Sequence, residues 1–554
     1  MRTPFERVAV LVFAFAICSN SVRGQVVYQH VSDESIYEFL KEMSTIKAVD
    51  LNDVALPLSR KQISRYLIEV AKRDSTLNRR QRAELSFMMQ EYIKEADGYK
   101  GFDFFGKGLK RGSMFPLRRR QRRHDMIFYR DSLFTLTVNP ILGAEGWYTG
   151  GSFYYQRRIG ASVQSYIGKH LGFYADLRDY SESINLSDPA FLNLRMGANY
   201  KGTDFSEMRG GFIVSNKWGS IGVVKDNVVW GSSYNGSNIL SGRTPSFPMI
   251  RLTLNPVKWF SFEYLHGWLV SDVIDSTASY MQSNGELRTV FRDKYIAANL
   301  WTFRPMKRLY FTFGNSIVYS DKFNPVYLIP FLFYKSVDHT LNSTGSNHNF
   351  RGQNSQMFIN LVSRQLKYTE LYLSVFVDEM SISNMFNSQK QSNHISLKMG
   401  TRVSLPWKIN TSIVIEYTRT NPVAYRHFFD VSTYSSNSYG LGHYLGENAQ
   451  EIYAALWVKP VPRFRVKADM TYILKGPGST YERGSDGKGI PFMSSTELSR
   501  LSGRLTVAYE IVQSLSVTAT YGYLKENGPL AGTTLPNVVY ASPHTIGFSV
   551  GYGF

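Results

Sequence analysis

Two stretches of the sequence concentrate side chains that bind by stacking and hydrogen bonding. One holds Trp230, Tyr234, Asn235, Asn238 and Arg243; the other holds Tyr425, Arg426, His427, Tyr434, Tyr439, His443 and Tyr444. Aromatic faces pack on the C–H surfaces of sugars, amides and guanidinium groups bond hydroxyls, and cations meet acidic sugars. The same mixture also serves to fold loops against each other or against lipopolysaccharide, so no single residue is diagnostic. Catalytic chemistry has less footing. The histidines are scattered, Asp338 and His339 are chain neighbours whose side chains point apart, and Asp378-Glu379 at a strand end could join an acid/base site or bind calcium but no constellation assembles around it. No GxSxG, HExxH or P-loop pattern occurs. A single cysteine, Cys18, excludes a disulfide framework and a Cys-ligated metal. The expectation is a non-enzymatic protein without cofactor or metal.

The elements that carry these residues follow from composition and periodicity. Charged residues make up only 19% of the 554-residue chain and aromatics 14%, which excludes a disordered protein. The net charge of +19 points to an anionic partner: nucleic acid, lipid or polymer. The first residues choose among these. Arg2 and Arg7 precede the apolar run Val8–Ile17, and small and polar residues follow. This is the pattern of a secretory signal peptide, expected to span 1–24 with cleavage after Gly24; the run is too short to cross a membrane. Export removes nucleic acid as a partner.

Residues 25–99 carry helical periodicity. Ile36, Phe39, Leu40 and Met43 share one face, behind a cap at Ser32 or Asp33. Ser59 with Gln62 has capping-box spacing before Ile63, Tyr66, Leu67 and Val70, and Asn78 with Gln81 repeats it before Leu85, Met88, Met89, Tyr92 and Ile93. Three such helices alone make a thin core and are expected to dock onto a larger body. A Gly- and Arg-rich linker follows over 100–125, with a basic run from Arg118 to Arg123 that reads as a solvated segment or an anionic-glycan site.

From Met126 to Phe554 the period becomes two. Val517, Ala519, Tyr521 and Tyr523 alternate with Ser516, Thr518, Thr520 and Gly522; Ile413, Ile415 and Tyr417 alternate with Ser412 and Glu416. A soluble sandwich alternates too, but connection lengths separate the two folds. From about Arg209 onward, tight turns bearing Pro or a cation take turns with long polar segments, as in an outer-membrane barrel with short periplasmic turns and long outer loops. The last strand places Ile546, Phe548, Val550, Tyr552 and the terminal Phe554 on one side, resembling the signal read by outer-membrane barrel-assembly machinery. The span allows roughly 24 residues per strand and loop, with room for the ~10-residue crossing each strand needs. The expected fold is therefore an all-β, antiparallel outer-membrane barrel of about eighteen strands, closed at its periplasmic mouth by a small α-helical cap.

Several segments resemble the Wzi-type capsule assembly proteins in the form found in Bacteroidota. These are Leu56–Leu67 with Leu77–Leu85, Val228–Leu252, Asn354–Leu361, Val375–Ser383, Glu416–His427 and Leu441–Ala449. The resemblance covers most of the mature chain through short motifs. It implies a barrel obstructed by helices and loops, and a lectin-like role retaining exported capsular or other surface polysaccharide. The glycan-binding residues expected on the outer loops are Trp230, Tyr234, Asn235, Arg243, Tyr425, Arg426, His427, Tyr434, Tyr439, His443 and Tyr444. Expected partners are that polysaccharide, outer-membrane lipid and lipopolysaccharide, and the assembly machinery. The alternative is a porin for anionic solutes, since about eighteen strands enclose an aqueous lumen and a basic one favours anions.

Overall fold

The computed structural model describes residues 26–95, 125–199, 202–343, 352–379, 393–405, 410–479, 490–536 and 542–553. The expected signal peptide, the basic run 118–123 and Phe554 lie outside these residues.

Eighteen long antiparallel strands close into a barrel. The first, Phe134–Thr149, pairs with the last, His544–Tyr552, in a register running from Leu142↔Tyr552 to Thr149↔Thr545. A short extra strand, Ile127–Arg130, continues the column of the last strand by pairing with 135–138. Closure pairs the strand edges, a requirement of backbone in lipid. The alternation of the sequence becomes the two surfaces of the wall. Ile413 and Ile415 face outward and are exposed, whereas Val414 and Glu416 between them are buried inside. Phe548 and Val550 likewise stand outward at 64% and 50% exposure, on the lipid face expected of the terminal strand. No helix among the described residues is long and apolar enough to cross a membrane.

Connection lengths sort the two ends. Turns 168–170, 216–218, 258–259, 307–308, 364–368, 460–463 and 513–514 share one end. Connections 227–246, 270–293 and 421–448 start and finish at the other, as do the described parts of 183–203, 321–353, 476–497 and 528–543. The first hairpin is the exception at the long-loop end: Gly150 and Gly151, both with positive φ, make a two-residue turn that only glycine enters freely. Short turns face the periplasm in outer-membrane barrels, which orients the molecule.

Among the described residues three α-helices precede the barrel: α1 (Glu34–Thr45), α2 (Arg60–Ala71) and α3 (Arg79–Tyr92). The Ser59–Gln62 capping box forms in full, and Asn78 and Gln81 exchange the same reciprocal bonds. Asp33 at the start of α1 makes no capping bond; its carboxylate accepts from Gln29 at 2.8 Å and Tyr92 at 3.3 Å instead. The apolar stripes meet one another: Ile36, Leu40, Met43, Ile63, Leu67 and Leu85 belong to one buried cluster. The helices thus share a core of their own and also dock, which is more than their separate stripes implied.

Candidate functional site

The cap is locked to the barrel by charge pairs at the short-turn end. On α1, Glu38 meets Arg402 through two bonds of 2.6 and 2.8 Å, and Lys459 lies 3.4 Å away. One turn on, Glu42 takes Lys459 at 2.8 Å and also pairs with Arg80 of α3. Burial alone would raise both glutamates, but the cations outweigh it and hold each down to about 2. The segment after α1 continues the contact. Asp50 pairs with Arg304 at 2.8 Å, and Asp53 pairs with Arg364 at 2.8 Å. Arg364 also donates to the Leu51 carbonyl at 2.7 Å. Buried pairs of this kind are costly to break from one side, because the remaining charge has no water.

From the opposite end, connection 227–246 turns inward and enters the lumen. Its Val229–Trp230 pairs as a strand with Ala55–Leu56, so the loop and the cap segment meet inside the barrel. Beyond that contact the loop is bonded to inward-facing wall residues. Ser232 N–H donates to Asn360 at 3.0 Å, while Tyr234 and Asn235 N–H donate to the Glu416 carboxylate at 2.6 and 2.8 Å. The Asn235 side chain donates to Glu451 at 3.0 Å, and the Asn238 side chain to the carbonyls of Ser374 and Ser396. Lys398, itself buried, lies 3.2 Å from Glu416 and donates to the Asn235 carbonyl. The Tyr234 ring sits between cations, with Lys41 Nζ 4.1 Å and Arg402 Cζ 5.6 Å from its centroid. One residue set therefore ties cap, plug loop and wall together.

Connection 421–448 packs on top of this plug. The Tyr425 hydroxyl donates to the Asn238 carbonyl at 2.7 Å, and Tyr425 N–H donates to Asp378 at 2.9 Å. Asp378 thus serves as a structural acceptor. Tyr444 bonds Glu451, and Tyr434 stacks beside Tyr425 at 6.0 Å between centroids. Arg243 donates to the Pro189 and Phe191 carbonyls and lies over the Tyr439 ring at 5.4 Å. Burial lowers Arg243 to about 10 and His427 to about 4.

The eleven expected glycan-binding residues are accordingly brought together, but mostly inside. Trp230, Asn235, Arg243, Tyr425, Tyr434, Tyr439, His443 and Tyr444 are buried against protein. Tyr234 and His427 are half-buried, and Arg426 is exposed, with its guanidinium 2.6 Å from Glu447. The expectation of an open outer platform made by these two loops fails for a physical reason: eighteen strands leave a lumen too wide for wall side chains to fill, so loop chain fills it. The long-loop surface is offered instead by 270–293, whose Ile274, Tyr280, Met281, Leu287 and Phe291 are each at least half exposed. These aromatic and apolar residues, interspersed with Arg288 and Arg292, were legible as a long segment but not as an exposed one. No cluster of His, Cys, Asp and Glu among the described residues could hold a metal ion.

No protein-family model matches the sequence, and no curated protein matches it. Solved structures do match. Wzi of Escherichia coli, an outer-membrane protein involved in group 1 capsule assembly and described as a carbohydrate-binding β-barrel, superposes over 96% of this chain and 99% of its own. The TM-score is 0.56 and the identity 12%. OccAB4 of Acinetobacter baumannii covers 76% of this chain and 98% of its own at TM-score 0.42 and 8% identity. OccK8 (OprE) of Pseudomonas aeruginosa covers 76% and 97% at 0.41 and 10%. The chain is an outer-membrane β-barrel, and the Wzi-type resemblance of its motifs extends to the fold over nearly its whole length.

Proposed function

We propose that this protein is an outer-membrane anchor that retains exported capsular or other surface polysaccharide at the cell surface. The observation that carries the reading is the filled lumen. The Glu38–Arg402 lock and the Glu416-held plug loop leave the barrel wall as a support and its long-loop face as the working surface. A conduit for anionic solutes would have to pass both that loop and the docked cap. Wzi of Escherichia coli, which shares the fold, is described as a carbohydrate-binding barrel, and this supports the same class of ligand here.

In this reading the chain is exported through a signal peptide cleaved after Gly24 and inserted by the barrel-assembly machinery. Lipid and lipopolysaccharide surround the wall. The glycan meets Arg426, His427 and the exposed residues of 270–293; the buried aromatics beneath hold those loops in position. Many weak contacts along a polymer give retention through multivalency without a deep pocket. The test is a gene deletion scored for cell-bound and shed polysaccharide. An anchor predicts unchanged synthesis with polymer moved to the medium, restored by complementation. Unchanged retention with altered solute permeability would overturn the reading in favour of a pore.

A further inference from the structure

A cleft of about 680 Å³ lies at the short-turn end, between α2 with the segment before it and the barrel turns 216–218, 258–259 and 307–308. Eight cationic side chains line it against two carboxylates, Asp50 and Glu69. Those two are engaged: Asp50 pairs with Arg304 at 2.8 Å, and Glu69 lies 3.6 Å from Arg73. Each of the three turns adds an exposed lysine, Lys217, Lys258 and Lys307, and none of these has an ion-pair partner among the described residues. Arg304 and Arg73 are paired, Arg308 donates to the Lys47 carbonyl, and Lys61 and Arg65 are engaged, so the uncompensated charge of the cleft rests with the three turn lysines.

Its position narrows the anion. Trp218 and Trp259 stand beside Lys217 and Lys258 and are 50% and 57% exposed. Lys217 Nζ lies 4.9 Å from the Trp218 ring centroid, and Trp259 stacks on Phe303 at 6.2 Å. Below them the outward residues Val257 and Met306 are exposed on the lipid face. Tryptophans at the edge of an apolar belt mark the headgroup level of a bilayer. A basic cleft at that level recognises lipid phosphate, and its volume suits one headgroup.

We propose that this cleft binds the phosphate headgroup of an anionic phospholipid from the periplasmic leaflet, seated between helix Arg60–Ala71 and the turn lysines. The lipid acyl chains run along the outer wall past Val257, and the phosphate bridges cap and barrel. No bond is made or broken.

The experiment uses the full-length protein purified in mild detergent and exchanged into phosphatidylglycerol or phosphatidylcholine, with retained lipid read by native mass spectrometry. The wild type is expected to retain phosphatidylglycerol at least about tenfold over phosphatidylcholine, since each lysine near an anionic surface contributes appreciably. The K217A/K258A/K307A variant is expected to fall close to parity, with its heat-modifiable electrophoretic shift unchanged. Should that variant misfold, the wild-type preference and the single K258A variant on its exposed turn still decide the matter. Equal retention of both lipids by the wild type, or an unaltered preference in the folded variants, would overturn the proposal. So would displacement of the lipid by inorganic phosphate or a soluble polyanion with no preference between the lipids, because the site would then be a general anion site.

Discussion

Removing Glu38 tests whether the helical cap is held by charge inside the barrel. The Arg402 guanidinium is fully buried; two of its bonds go to Glu38 and a weaker one, at 3.3 Å, goes to Ser412. In Glu38→Ala that cation keeps only Ser412 and the Tyr234 ring, whereas Lys459 keeps Glu42 at 2.8 Å. Breaking a buried pair from one side costs about 3–5 kcal/mol. Converted at about 1.4 kcal/mol per decade, this weakens cap docking by about 10²–10⁴-fold. Limited proteolysis of the cap in detergent is the assay, with thermal unfolding beside it. Cleavage within 60–95 should accelerate while the barrel keeps its heat-modifiable mobility. The double variant E38A/R402M should recover much of the loss, because no buried charge is left unpaired. If E38A is cleaved and unfolds as the wild type does, the charge lock is not what holds the cap.

Four further outcomes follow from the structure. Glu38 and Glu42, held at about 2, contribute stability that is fully present above their unfolded value near 4.5 and is lost as pH falls from there toward 2; cap protease resistance should decline over that window. Asp33 behaves oppositely. Burial first, and Glu510 next, push it up to about 7, so its contribution is present below 3.8 and lost as pH rises through 7. Asp33→Asn should therefore raise the unfolding temperature more at pH 8 than at pH 4, and an equal gain at both would contradict this. Glu416→Ala removes the acceptor of two plug-loop N–H groups and unpairs Lys398; it should produce channel openings in planar bilayers that the wild type lacks. Finally, R426A/H427A should shift polysaccharide from cells to medium by about two- to tenfold with normal barrel assembly, as expected when two of many weak contacts are lost. Tyr425 is best left intact in that test, since its hydroxyl and N–H both hold the plug.

The barrel was legible because its physics is local. Alternation at Ile413–Glu416, the aromatic last strand and the long and short connections each follow from lipid on one side and water or chain on the other. The caps at Ser59 and Asn78 were equally local, a matter of three-residue spacing. The interior was not legible. Glu416 stood out only as a polar residue alternating with Ile413 and Ile415, and Lys398, Arg402 and Glu451 carried no signal at all. Their partners, Glu38 and Asn235, lie hundreds of residues away in sequence or in another loop. Residues such as Trp230 and Tyr444 have the composition of a sugar site and the burial of a core, and composition does not encode which way a long loop folds. Nothing in the sequence singles out the turn dipeptides Lys217-Trp218 and Lys258-Trp259, whose convergence on one cleft with α2 requires the closed barrel.

Single-channel recording of the purified full-length protein in planar bilayers decides whether the barrel is sealed and serves as a surface support. A quiet membrane at moderate voltage, with no long-lived conductance steps, is expected. Frequent, stable openings of the size given by an unobstructed eighteen-stranded porin would contradict it.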